Sequence, residues 1–192
     1  ANGVELWVID VASAQAKKLT EANLNANLGA PFSWFGDNET ILVKLLPSNR
    51  KPLLDAKKDL PAGPIISNAS GAKSQNRTYP DMLKNKNDEI NFENIITSEL
   101  YKITLSGNKT LFKSADMFAG QSLSPDGNYI MITTIQKPFS YIVPLNRFPM
   151  KSVVYDKSGR EVKIVNETPL TEIMPKGFMA VQKGKRSLMW RN

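Results

Sequence analysis

Apolar and polar residues alternate over strand-length stretches through most of this chain, and the alternating runs come in matched pairs. Glu5-Leu6-Trp7-Val8-Ile9-Asp10 places apolar and other residues in turn, and Glu99-Leu100-Tyr101-Lys102-Ile103-Thr104 repeats the arrangement. Each run meets a turn cluster, Ser13 in the first copy and Ser106-Gly107-Asn108 in the second. Lys17-Lys18-Leu19-Thr20 and Lys109-Thr110-Leu111-Phe112 then read as returning strands, so each unit predicts a β-hairpin.

A second pair is sharper. Ser33-Trp34-Phe35-Gly36-Asp37-Asn38 leads into Ile41-Leu42-Val43-Lys44-Leu45, and Ser122-Leu123-Ser124-Pro125-Asp126-Gly127 leads into Tyr129-Ile130-Met131-Ile132. Pro125 presets φ at the first corner of the turn and Gly127 can take positive φ at its end. Together the two repeats predict an all-β fold, a fragment of a β-propeller with about two and a half four-stranded antiparallel blades. The map treats residues 1–192 as one partial propeller domain. Residues 4–20 form part of a first blade, and residues 30–113 form a second with a long irregular insertion at 47–98. Residues 119–165 form a third, and 185–192 start the next, with Trp190 in the place of Trp34.

Two stretches interrupt the pattern. Residues 47–98 are rich in Pro, Asn, Lys and Ser, and Pro80-Asp81-Met82-Leu83 predicts the start of a short helix within them. Residues 135–150 hold three prolines and several aromatics. Blades bury both faces against neighbours, so an arc of blades leaves apolar faces and strand edges in water. At roughly 25 cal/mol per Å² that exposure is costly, and open edges invite pairing. The pattern therefore predicts a piece of a longer chain, or one that self-associates with copies of itself.

Composition removes several functions. The chain has no Cys, which excludes disulfides and thiolate chemistry and suits an exported protein, periplasmic if bacterial. It has no His, so the commonest general base is missing and no Ser-His-Asp triad can be assembled. No cofactor and no metal site is expected, because no calcium-loop spacing is present. The net charge of +7 raises the question of nucleic acid, but the lysines are scattered and the densest group is Lys183, Lys185 and Arg186. A solvated surface is expected rather than nucleic-acid binding. No apolar run reaches the roughly 18 residues of a membrane span, so no membrane partner is expected. Asn-x-Ser/Thr sequons begin at Asn38, Asn68, Asn76, Asn108 and Asn166, a frequency that Asn-rich sequence reaches by chance.

The stretch Leu123-Ser124-Pro125-Asp126-Gly127-Asn128-Tyr129-Ile130-Met131-Ile132 is followed by Lys137-Pro138-Phe139-Ser140-Tyr141-Ile142-Val143-Pro144. Arg147-Phe148-Pro149-Met150-Lys151 comes next, and Gly184-Lys185-Arg186-Ser187-Leu188-Met189-Trp190-Arg191 much later. This series resembles the propeller of glutamyl endopeptidase-like serine peptidases, a branch of the prolyl oligopeptidase family. It departs from that pattern in the order Phe139-Ser140-Tyr141 and in Leu145-Asn146, where smaller residues are expected. The resemblance implies a propeller of about seven blades capping an α/β-hydrolase domain that carries the triad and lies outside this chain. It implies a noncatalytic role: gating access and helping to position peptide substrates. A stand-alone propeller-like protein-interaction module is the competing expectation.

Three arginines are candidates for substrate contact. Arg147 lies in the Pro- and aromatic-rich loop, where a guanidinium could hold a peptide carboxylate in two parallel bonds or tie down its own loop. Arg186 and Arg191 flank the predicted inner strand and are candidates to face a central channel or to pair structurally. Trp7, Trp34, Tyr101 and Trp190 sit at blade-repeat positions and are expected to pack between blades. Asp37 and Asp126 are expected to cap their own turns.

Overall fold

The computed structural model describes residues 3–55, 57–60, 63, 66, 71, 79–173 and 184–191. The chain forms β1 (Trp7–Asp10), β2 (Gln15–Lys18), β3 (Phe32–Trp34), β4 (Thr40–Leu45), α1 (Lys86–Ile96), β5 (Ser98–Thr104) and β6 (Lys109–Asp116). It continues with β7 (Phe118–Leu123), β8 (Tyr129–Ile135), a 3-10 turn at Leu145–Arg147, β9 (Met150–Asp156) and β10 (Glu161–Thr168). These strands make three antiparallel sheets among the described residues: β1-β2, β3-β4-β5-β6 and β7-β8-β9-β10. Each four-stranded sheet is a meander in chain order, with neighbours in sequence paired in space. The fold is all-β, as the alternation predicts, with blade-like sheets.

The sheets stack face to face. Strand alternation sends Ile41, Val43 and Leu45 of β4 toward the first sheet, where they meet Leu6, Leu24 and Ile103. It sends Leu42 and Leu100 the other way, into a cluster with Phe35, Phe112, Phe118, Ile130 and Ile132. Hence β4 is buried on both faces from Ile41 to Leu45, and its sequence is a nearly continuous apolar run. Antiparallel strands with one wet face lack that feature. The second and third sheets approach each other most closely along β3 and β7. There Gly29, at φ 60°, lies so near Ala119 that an added Cβ would stand 2.5 Å from its carbonyl oxygen.

The inner turns of these two sheets are copies. Phe35 N donates to Thr40 O at 2.8 Å and Ser124 N to Tyr129 O at 2.9 Å. Asn38 N returns to Phe35 O, and Gly127 N to Ser124 O. Asn38 takes the left-handed φ of 57° that Gly127 takes at 65°, a conformation Asn tolerates better than most residues. Asp37 accepts from Glu39 N and Thr40 N, and Asp126 from Asn128 N and the Ser124 hydroxyl. Both aspartates cap their own turns.

One local reading is corrected. The helix in the insertion begins at Lys86, after Pro80-Asp81-Met82-Leu83, because Asp81 holds a φ of 56° that no right-handed helix accepts. Asn85 supplies the cap, its side chain accepting from Asp88 N at 3.0 Å while Asp88 accepts in return from Lys84 N. Asp88 and Glu89 in the first turn favour the positive end of the helix dipole. Lys185–Trp190 is the stretch expected to start a next blade. Residues 184–191 carry no ladder partner and no strand. Trp190 instead donates its indole N–H to the hydroxyl and carbonyl of Ser122 at 3.2 and 3.4 Å, and Lys185 reaches Val165 O. The segment therefore lies against the third sheet.

Candidate functional site

The loop between β8 and β9 is built on aromatic packing. Phe139 and Phe148 stack at 5.4 Å, and Phe92 of α1 meets both edge-on at 5.1 and 5.8 Å. Ile96, Met117, Ile135 and Val143 complete this third buried cluster, which joins helix, loop and sheet end. Polar contacts fix the rim. Lys137 pairs with Glu93 at 2.7 Å, and the Tyr141 hydroxyl donates to Glu89 at 2.7 Å. The Ser140 hydroxyl donates to Glu172 at 2.8 Å. Burial, then the Glu89 carboxylate it serves, pushes the Tyr141 hydroxyl up to about 12. Burial alone would raise Glu89, but the bonds from Lys86 and Tyr141 and the charges of Lys86 and Lys137 outweigh it and hold its carboxyl low.

Arg147 closes the 3-10 turn in this loop. Its backbone N–H donates to Pro144 O at 2.9 Å and its carbonyl accepts from Thr171 N at 3.0 Å. The side chain is half-buried, and its Nη1 is buried with no hydrogen-bond partner among the described residues. A buried donor left unpaired costs about 1–3 kcal/mol. Arg186 and Arg191 lie elsewhere, both exposed on the segment that Trp190 pins to β7. The three candidate arginines thus occupy two settings, one in the aromatic loop and two along the third sheet.

Two clefts open between the second and third sheets. One, of about 240 Å³, is lined by Lys113, Asp116, Thr134, Gln136, Lys151 and Tyr155. The other, of about 320 Å³, lies at the inner turns and holds Gly36, Asp37, Lys102, Asp126, Gly127 and Lys157. In the second cleft the Thr40 hydroxyl donates to Asp37 at 2.8 Å, a bond that belongs to the turn. Asp126 is already committed to its turn, and hydrogen bonds from Ser124 and Asn128 hold its carboxyl at about 2. Lys102 rests over the rings of Phe112 and Phe35 at 4.9 and 5.1 Å, and burial followed by the Lys157 charge lowers its ammonium below the ordinary value. Among the described residues, no group of three carboxylates converges to hold a metal.

Sequence reasoning missed a lysine buried within the second sheet and the lysines that cross between sheets. Lys44, in the middle of β4, is 1% exposed, donates to Leu28 O, and is pushed down to about 8 by burial. Lys17 donates to Leu105 O and Ser106 O at 2.7 and 3.0 Å, across the first joint. Lys102 and Lys113 donate to Lys157 O and Gly159 O across the second. The one available signal was lysine at apolar-phase positions of predicted strands, as in Ile41-Leu42-Val43-Lys44-Leu45.

Comparison with known proteins bears on what such a stack belongs to. The chain is 35% identical, over 98% of its length, to a protein of Oryza sativa subsp. japonica named probable glutamyl endopeptidase, chloroplastic. It is 34% identical over 97% of its length to a protein of the same name from Arabidopsis thaliana. The chain is thus similar, along nearly its whole length, to part of proteins that carry this name. It spans about one fifth of the length of these curated relatives. No family model matches it. Among the described residues, no helix is long and apolar enough to cross a membrane.

Proposed function

We propose that the chain is the noncatalytic propeller portion of a serine peptidase of the prolyl oligopeptidase family, related to glutamyl endopeptidase. It gates access for peptide substrates and helps to position them for an α/β-hydrolase domain outside these residues. The observation that carries this reading is the match of nearly the whole chain to one fifth of two named endopeptidases. The absence of His from all 192 residues supports it, because the chemistry then belongs to another part of the protein. The Nη1 of Arg147, buried and without a partner among the described residues, supports a role for that residue in holding a peptide carboxylate. Export, drawn from the cysteine-free composition, belongs to the same proposal, and cell fractionation checks it.

Two experiments test the reading. The purified chain is expected to show no labelling by a serine-directed fluorophosphonate and no peptide cleavage; covalent labelling would overturn it. In the full-length peptidase, Arg147→Ala should raise KM for acidic peptides about tenfold, the loss of one charged hydrogen bond. Unchanged kinetics would return Arg147 to a structural role. The exposed apolar row of the first sheet, with Trp7 at 52% and Ile9 at 63%, favours a second reading as a stand-alone interaction module. A gene that continues past residue 192 into Gly-x-Ser-x-Gly, then Asp, then His, decides for the peptidase.

A further inference from the structure

The outer hairpins of the three sheets share a register. Counting back from the last residue of the strand before each outer turn (Asp10, Thr104 and Asp156), the residue two positions earlier is Val8, paired with Lys17, in the first sheet and Lys102, paired with Thr110, in the second. In the third sheet it is Val154 with Lys163. Each such pair carries one lysine; the first two point toward the next sheet, and the third points away from the second sheet. For the third sheet the direction follows from alternation. Ile132 and Val153 face the second sheet, so Met131, Val154 and Lys163 face away from it.

The first two lysines do the same thing. Lys17 donates to the carbonyl of Leu105, and Lys102 donates to the carbonyl of Lys157. Leu105 and Lys157 are the same place in the two outer turns. In one, Thr104 N donates to Asn108 O and Gly107 N to Thr104 O. In the other, Asp156 N donates to Arg160 O and Gly159 N to Asp156 O. Both accepting residues follow the last residue of the third strand, where the carbonyl leaves the ladder and points beyond the sheet. Sheets that stack about 10 Å apart put this carbonyl within the span of a lysine stem. The ammonium satisfies an oxygen that has no strand partner, and the bond fixes how far one sheet slides over the next.

We propose that Lys163 is the third member of this series, and that it holds the first turn carbonyl of a further antiparallel hairpin stacked on the outer face of the third sheet. Lys163 is exposed, and among the described residues nothing accepts from it. The rest of its row is a docking surface of the same kind, with Met131 and Val154 half-buried beside it and Ser122 at the inner end. The Trp190 indole already grips Ser122, so the segment after the third sheet lies on this face and leads toward it. The occupant is more of the same polypeptide, which rests on the reading of the chain as part of a longer peptidase-related protein.

Amine acylation read by mass spectrometry, combined with hydroxyl-radical oxidation of Met131 and Tyr129, tests this in the full-length protein. Lys163 should acylate about tenfold more slowly there than in the 192-residue chain, and Met131 and Tyr129 should be shielded with it. If Met131 and Tyr129 are shielded while Lys163 reacts at its free rate, sheets stack but the lysine series ends, and the proposal fails alone. If all three stay open, no sheet covers this face, and the stacked-arc reading fails with it. Shielding that appears in the 192-residue chain and grows with its concentration would assign the face to a second copy and overturn the proposal.

Discussion

The second sheet and the first are both antiparallel and both carry strand-like alternation, yet their burial differs completely. Every residue of β4 from Ile41 to Leu45 is buried, while β1 and β2 show a single half-buried residue, Val8. The second sheet has a neighbour on each face; the first rests one face on the second and leaves Trp7 and Ile9 open. Position in the stack, rather than strand propensity, sets how much each side chain contributes. Apolar burial near 25 cal/mol per Å² acts twice on the middle sheet and once on its neighbours.

Substitutions can sharpen this contrast. Leu100→Ala, fully buried between the second and third sheets, should cost about 3–4 kcal/mol in urea unfolding. Gly29→Ala should cost about 2 kcal/mol, because φ is 60° and the new Cβ would meet Ala119 O. Lys102→Met keeps the packing over Phe35 and Phe112 but loses the bond to Lys157 O, and should cost about 1 kcal/mol. Ile9→Ala, on the open face, should shift stability by less than about 0.5 kcal/mol. A cost for Ile9→Ala as large as that for Leu100→Ala would erase the distinction between the two sheets.

Lys44 supplies a pH test of the same comparison. Its folded value of about 8 lies below the ordinary 10.5, so between those values the unfolded chain binds a proton that the folded chain has released. Stability contributed by this group therefore rises with pH across that window. Lys44→Met should flatten the rise, measured as the difference between wild type and variant in denaturant midpoint.

Much of this architecture was legible in the residues. The paired runs around Leu6 and Leu100 and the turns at Asp37 and Asp126 carry local chemistry: alternation, a Pro corner and residues that tolerate positive φ. What escaped was chemistry between segments distant in sequence. The helix start was misplaced because Pro80 is a strong local signal, while the cap in which Asn85 accepts from Asp88 N and Asp88 from Lys84 N is a quiet one. The crossing lysines were invisible because a strand pattern says which face a residue takes but not what stands opposite. Arg186 and Arg191 flank a stretch that forms no ladder among the described residues, so strand alternation alone does not say what they face. Arg147 drew notice for its aromatic surroundings, and its buried Nη1 became visible only with the packing of Phe92, Phe139 and Phe148.

Hydrogen exchange of the native chain tests the stacking most directly. The account predicts that amides of β4 and β5 exchange only through global unfolding, while those of β1 and β2 exchange by local opening orders of magnitude faster. Equal protection across the first and second sheets would contradict it.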